Sequence, residues 1–287
     1  MGFNSYDDMI TKLTAGNKIS THISKARPAV AGVAQTFESW WQMSGYPAAG
    51  TYGGVALEAA QNNSTDVGAI PIHSAVSPLT AHLLTLGMQT SGAGNLGSIL
   101  LYDRLLHYPN LNANTSASQT LSNPVALPRY TTGMGVMAFL EVTTAFGATP
   151  ANFTMNYTKE DGTAGRTSTL VAMGTSSAQN RLPHTGVAAN QFGPFIPLQA
   201  GDKGIRSIQS AQFSAAMGAG VAALVLAKPL AILPLPTATA MTERDFVFQL
   251  ASMERIFDSA CLGVLAFSGS AFTSSSNYQG YLEIGWG

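Results

Sequence analysis

The segment GAGNLG, residues 92–97, has the spacing of the G-x-G-x-x-G loop that binds the pyrophosphate of dinucleotides. That chemistry requires a strand before the loop, a helix after it and an acidic residue about 20 positions further on. Here the apolar, strand-like run SILLYDRLLHY follows the glycines. Asp103 is too close to serve as the acid, and Glu141 is too far away. The glycines are therefore interpreted as a connector between strands, and no nucleotide cofactor is expected.

The remaining reactive residues give no pattern of metal-binding or hydrolytic chemistry. The five histidines have no zinc-site spacing, and the single cysteine, Cys261, lies in the apolar run SACLGVLAF. A zinc site needs several His or Cys ligands at short spacing, and an isolated cysteine among apolar residues is typical of a core. No carboxylate pair can be placed across a cleft, and no G-x-S-x-G elbow occurs. We therefore predict a protein that is not an enzyme and has no metal, other cofactor or small-molecule substrate.

One polar cluster interrupts an apolar run, in LYDRLLHYP. Asp103 and Arg104 are neighbours, so on a strand their side chains point to opposite faces. If they are buried, each needs its own partner. Two interpretations have similar weight: an edge strand with solvated charges, or a contact between subunits.

The composition favours a protein with much of its surface in an assembly. The chain has 287 residues, of which 46% are hydrophobic and only 10% are charged, whereas about 25% is typical of soluble domains. A net charge of -1, without any run of Lys or Arg, argues against a nucleic-acid partner. The uncharged segment 207–227 is long enough to cross a bilayer, but glycines interrupt it at MGAG. It is interpreted as two strands, and no membrane association is expected.

The N-terminal residues are expected to form an arm. Ser5 followed by Asp8 resembles a helix capping box, and short helices are predicted up to about residue 30. Trp40 and Trp41 follow in TFESWWQMSGY, where at least one of them needs a partner surface. Residues 1–45 are therefore predicted to be an N-terminal arm with short helices.

Residues 46–287 are predicted to form one β-sandwich domain. Period-two runs extend from about residue 98, and ANFTMNYTKEDGTAGRTSTLVAM is the clearest hairpin. The spacing of Phe246, Leu250, Met253 and Phe257 behind a Thr242 cap predicts a helix at about 242–257. A final alternating strand ends in Trp286. The fold class is mainly β, an antiparallel, jelly-roll-like sandwich with the helical arm and this one helix near the C-terminus.

Several phrases along nearly the whole chain resemble a group of virion structural proteins of tailed bacteriophages. They are LYDRLLHYPNLN, LPRYTTGMGVMAFLEV, MNYTKEDGTAGRTS, GPFIPLQAGDKGIRSIQS and YLEIGWG. None of these phrases is a catalytic signature. The resemblance implies a structural component of the phage particle, assembled in the bacterial cytoplasm, and most simply a decoration (cement) protein of the head.

Such a protein would bind itself, as a homotrimer at local three-fold axes, and the major capsid protein. The residues expected at these interfaces are Trp40, Trp41, Tyr46, Asp103, Arg104 and Trp286. Deletion of residues 2–45 is expected to abolish particle binding and to leave the sandwich folded.

Three alternatives remain open. A tail or baseplate protein would have the same composition. A carbohydrate-binding module would display aromatic side chains, for which Tyr46, Tyr52, Tyr108 and Tyr130 are candidates. An enzyme is the third alternative, although no catalytic constellation supports it.

Overall fold

The computed structural model describes residues 2–27, 33–92, 97–249, 253–269 and 277–287, in which strands predominate. One α-helix and 17 strands occur in these ranges. In chain order they are α1 (Tyr6–Thr14), β1 (Lys18–Ala26), β2 (Thr36–Ser39), β3 (Ser44–Tyr46), β4 (Ala60–Gln61), β5 (Ala81–Thr90), β6 (Gly97–Asn112), β7 (Gln119–Thr120), β8 (Met137–Thr144), β9 (Asn152–Lys159), β10 (Arg166–Thr167), β11 (Val171–Ala172), β12 (Ile205–Phe213), β13 (Val221–Leu235), β14 (Thr242–Asp245), β15 (Arg255–Ile256), β16 (Leu262–Ser268) and β17 (Asn277–Trp286).

The strands form three antiparallel sheets. The first outer sheet has the order β14-β5-β17-β1-β3, with β15 also on β5, and the second outer sheet has the order β10-β9-β12-β7, with β11 also on β9. The third sheet has the order β2-β16-β6-β13-β8, with β4 also on β6. We call it the shared sheet because its residues belong to the cores of both outer sheets. This arrangement confirms the prediction of a mainly β, antiparallel sandwich.

The long strands β6 and β13 carry two cores on one sheet. Near the start of β6, Ile99 and Leu101 pack with side chains of the first outer sheet, among them Leu83 and Leu282. Further along, Leu106 and Tyr108 belong to a second core, together with Phe153 and other residues of the second outer sheet. A strand that is covered on both faces is typically a nearly continuous apolar run. The segment SILLYDRLLHY of β6 is such a run.

The two edges of the shared sheet are bridged by one segment, residues 180–182. The Asn180 N–H donates to Val142 O of β8 at 2.9 Å, while the Asn180 carbonyl accepts from Ser39 N of β2 at 2.8 Å. The Leu182 N–H donates to Phe37 O at 3.0 Å, again on β2. The sheet therefore closes on itself like a small barrel. A third core, which includes Tyr102, Phe139, Leu182 and Leu265, lies on the inner face.

The N-terminal region differs from the predicted arm. Helix α1 is present, and the Ser5 hydroxyl accepts from the Asp8 N–H at 3.1 Å, as the capping pattern predicts. However, residues 18–26 are strand β1, paired with β17 and β3 inside the first outer sheet. A helix prediction fails there because β17 and β3 offer the β1 backbone hydrogen-bond partners on both sides.

The predicted helix at about 242–257 is wrong. Residues 242–245 form β14 on the edge of β5, and residues 255–256 form β15 on the same strand. The Asp245 carboxylate accepts from the N–H groups of Val247 and Phe248, at 2.7 and 3.2 Å, and so supports a turn. Leu250 lies outside the described residues. As strands, these residues supply backbone hydrogen-bond partners to the otherwise unpaired edge of β5, which a helix could not do.

The other predicted strands are confirmed. Phe153, Met155 and Tyr157 are buried on one face of β9. The uncharged segment 207–227 falls on β12 and β13, with MGAG between them. β6 begins at Gly97, so a strand follows the glycine-rich segment where the dinucleotide fingerprint requires a helix; residues 93–96 of that segment lie outside the described ranges.

Candidate functional site: buried charges and an exposed apolar patch

Asp103 and Arg104 lie in the middle of the shared sheet, and both are fully buried. The expectation that each needs its own partner is confirmed, because Asp103 pairs with Arg129 and Arg104 pairs with Glu141. Of the two interpretations of this cluster, the edge strand is wrong, and the subunit contact is not needed to pair the charges. β6 has neighbours on both sides, and the partners of both charges come from the same chain.

The Asp103–Arg129 pair is satisfied on every side. Arg129 donates through Nε and Nη2 to the two carboxylate oxygens at 2.8 and 2.7 Å. The Cys261 N–H adds a third bond to Asp103 at 3.0 Å, and Arg129 also donates to the carbonyls of Asn62 and Arg104. Burial raises the pKa of Asp103, and the Arg129 guanidinium opposes that shift. Such bidentate geometry is the strong form of an ion pair.

The Arg104–Glu141 pair is held by a single contact. Arg104 Nη1 lies 3.4 Å from Glu141 Oε2, and the guanidinium carbon lies 4.4 Å from the Trp41 ring centroid and 5.0 Å from that of Tyr52. Burial raises the pKa of Glu141, and Arg104 opposes that shift. Arg104 Nε and Nη2 are buried and have no hydrogen-bond partner in the described part of the chain, whereas the hydroxyls of Tyr52 and Ser39 lie beside Glu141 and lower its pKa.

The aromatic residues expected at an interface lie in three different places. Trp40 and Trp41 are each 2% exposed, and Trp40 stacks against Tyr278 at 4.6 Å within the same chain. Trp286 is half-buried, with its ring 5.5 Å from that of His73. Only Tyr46 projects outward, at 50% exposure. Of the predicted interface residues, the structure therefore brings together Trp41 and Arg104, and it does so inside the chain.

Sequence reasoning missed two further buried charged centres. Arg27 binds the Glu38 carboxylate through Nε at 2.7 Å and through Nη2, and Arg181 lies 3.9 Å from the same carboxylate. Lys25 is 2% exposed, and its ammonium donates to the carbonyls of Met43 and Pro47 at 3.0 and 2.6 Å. Burial lowers the pKa of Lys25 to about 8. A charged residue at an inward position of a period-two run, as Lys25 is in KISTHISKA, is the signal that could have indicated the Lys25 centre.

These pairings place charged side chains in the interior of a chain that has few charged residues. Of 14 basic and 15 acidic residues, seven are buried: Lys25, Arg27, Glu38, Asp103, Arg104, Arg129 and Glu141. They leave 22 of the 29 charged side chains for the outer surface, so charged groups are few there. Uncharged surfaces of this kind are typical of faces that contact other subunits, where charged residues are depleted.

An exposed apolar patch lies on the outer side of α1. Tyr6 and Ile10 are one helical turn apart and are 52% and 45% exposed, and Phe248, from the turn after β14, is 69% exposed. The Tyr6 and Phe248 rings meet edge to face at 5.4 Å. We call these three residues the α1 patch. Clustered exposed aromatic side chains mark interaction surfaces more often than single exposed residues do.

The described residues contain no group of three or more His, Cys, Asp or Glu side chains placed to hold a metal ion. Cys261 is fully buried, and burial raises its thiol pKa, as expected of a core residue. Among the residues that the structure describes, no helix has the length and hydropathy to span a membrane. Tyr108, a candidate for stacking on sugars, is fully buried, and its hydroxyl donates to Asn123 at 2.7 Å.

Comparisons with known proteins add little to this description. No family model matches the chain, and no curated protein matches it. Among solved structures, the VP2 subviral particle of infectious bursal disease virus aligns with a TM-score of 0.17 and 9% identity, over 93% of this chain and 80% of that chain. The Gt strain of the same virus aligns with a TM-score of 0.18 and 9% identity, over 94% and 80%. TM-scores this low carry no argument, so the fold is taken from the strand pairing alone.

Proposed function

We propose that this protein is a non-enzymatic structural component of a bacteriophage particle, and that it decorates and stabilises the head. The sequence phrases that resemble phage virion proteins support this proposal, as does a composition with only 10% charged residues. The observation that carries it is the α1 patch, in which two of the most exposed aromatic side chains meet on one face. The patch takes the place of Trp40 and Trp41 as the proposed contact with the major capsid protein.

The physical basis of such a role is preferential binding to the assembled shell. A protein that binds only the assembled lattice stabilises it by mass action. Closed three-fold symmetry would place the protein as a trimer at local three-fold axes of the shell. Assembly would take place in the bacterial cytoplasm, and the mature location would be the virion.

The first test is the copy number in purified particles, measured by quantitative mass spectrometry against the major capsid protein. A ratio near one to one supports decoration of the shell. A few copies to a few dozen would instead indicate a tail or baseplate protein. Absence from particles would overturn the virion proposal altogether.

The second test addresses the patch. Phe248→Ser is expected to weaken binding to particles by at least about tenfold, the size of effect typical of an aromatic interface anchor. Val187→Ser is the matched control, because Val187 is 71% exposed and lies on a different loop. Equal loss of binding in both variants would contradict the assignment of the patch. Deletion of residues 2–45 is unsuitable as a test, since it would remove β1 and β2 from their sheets.

A further inference from the structure

A polar cavity of about 380 Å³ lies at the base of the first outer sheet. It opens between residues 77–81, which lead into β5, and residues 255–259, which include β15. Its polar side chains belong to Ser77, Thr80, Arg255, Asp258 and Ser259. The volume is within the range of small-molecule sites, roughly 300–1,000 Å³.

Arg255 is exposed and supplies a positive charge at the rim of the cavity. Its guanidinium carbon lies 4.3 Å from the centroid of the Phe257 ring, which also lines the cavity. In the described ranges, no carboxylate oxygen lies within 4.0 Å of this guanidinium. A guanidinium stacked on a ring and lacking a carboxylate partner is well suited to bind a carboxylate through two parallel hydrogen bonds.

Asp258 supplies a carboxylate that is already oriented. Its Oδ1 lies 3.1 Å from His73 Nε2, and the His73 side chain is fully buried. The His73 ring is in turn held against Trp286 at 5.5 Å. The Asp258 side chain remains 34% exposed, and Oδ2 has no partner in the described part of the chain. Because Asp258 lines the cavity, its exposed carboxylate can accept a hydrogen bond from a ligand hydroxyl.

We propose that this cavity binds a small carboxylate that also carries several hydroxyl groups, such as a sugar acid. Arg255 binds the carboxylate, while Asp258 and the hydroxyls of Ser77 and Thr80 bind the ligand hydroxyls. A neutral sugar would leave Arg255 without an anionic partner, and an anion without hydroxyl groups would leave Asp258 without a hydrogen-bond donor. An apolar ligand would leave the polar walls without partners.

The test uses the full-length protein and calorimetric titration with three probes. Glucuronate carries both recognition elements, glucose lacks the carboxylate, and propionate lacks the hydroxyls. Saturable binding of glucuronate is expected, with glucose and propionate each bound at least about tenfold more weakly. No binding of glucuronate, or equal binding of propionate, would overturn the proposal.

Variants connect that binding to the cavity. Arg255→Gln and Asp258→Asn are each expected to weaken glucuronate binding by at least about tenfold. Arg244→Gln is the matched control, because Arg244 lies on β14, which pairs with the same strand β5 outside the cavity. Thermal unfolding checks that each variant is folded. Glucuronate binding that survives Arg255→Gln, or that falls equally in Arg244→Gln, would contradict the assignment.

Discussion

Two ion pairs on consecutive residues of one strand are built in opposite ways. Around Asp103 and Arg129 every carboxylate oxygen and every guanidinium nitrogen has a partner. Around Arg104 and Glu141 one contact of 3.4 Å joins the charges, and aromatic rings cover the rest of the guanidinium. Because removing a charge from water is costly, the first pair depends on its full set of bonds, whereas the second contributes little beyond its packing. Burial of an ion pair is therefore no measure of what it contributes to stability.

The largest expected effect comes from breaking the satisfied pair. Arg129→Met would leave the Asp103 carboxylate buried without its partner and is expected to lower the free energy of unfolding by about 3–5 kcal/mol. Urea denaturation followed by tryptophan fluorescence measures this change. A loss below about 1 kcal/mol would show that other hydrogen-bond donors stabilise the buried Asp103 carboxylate when Arg129 is absent.

A smaller effect is expected from His107, which connects the two pairs. Its ring nitrogens lie 3.0 Å from the side-chain oxygen Oδ1 of Asn62 and 2.8 Å from the backbone carbonyl of Gly53. The backbone carbonyl of Asn62 accepts a hydrogen bond from Arg129. Burial, with a further contribution from the Arg104 charge, lowers the pKa of His107 from 6.5 to about 4. The unfolded chain therefore binds more protons between these values, and the contribution of His107 to stability is lost as the pH falls from 6.5 towards 4. The expected loss at pH 5 is about 2 kcal/mol.

The measurement is urea denaturation between pH 7 and pH 5 for the wild type and for His107→Gln. The wild type and the variant must be compared because Asp103 and Glu141 have raised pKa values. These two groups increase stability as the pH falls, which is opposite to the effect of His107. Parallel pH profiles would contradict the prediction. NMR titration should in addition show a higher pKa for His107 in Arg104→Met, since that variant removes the neighbouring positive charge.

The smallest effect is expected when the under-satisfied pair is replaced entirely. The double variant Arg104→Met, Glu141→Leu is expected to change the free energy of unfolding by less than about 1 kcal/mol, or to stabilise the fold, because it removes both charges from a site that offers them few bonds. The matched double variant Asp103→Leu, Arg129→Met should destabilise by more than about 2 kcal/mol, since it leaves the Cys261 N–H and the Asn62 carbonyl unpaired. Equal effects in the two double variants would remove the distinction between the pairs.

Local signals in the sequence were sufficient for much of the fold. Alternation places Phe153, Met155 and Tyr157 on one buried face, and Ser5 with Asp8 begins α1, because these signals depend on neighbours a few residues away. Adjacency alone also showed that Asp103 and Arg104 need separate partners if buried.

Only the tertiary structure decided which residues meet. Arg129 is 26 residues from Asp103 and Glu141 is 37 residues from Arg104, so no local pattern could indicate either pairing. The same applies to the predicted helix at about 242–257 and to the arm that became β1. In both, the hydrogen bonds offered by β5 or β17, distant in the chain, outweighed the local spacing. Periodicity determines which face of an element is apolar, whereas the partner of that face, and of any charge on it, is set by contacts between distant parts of the chain.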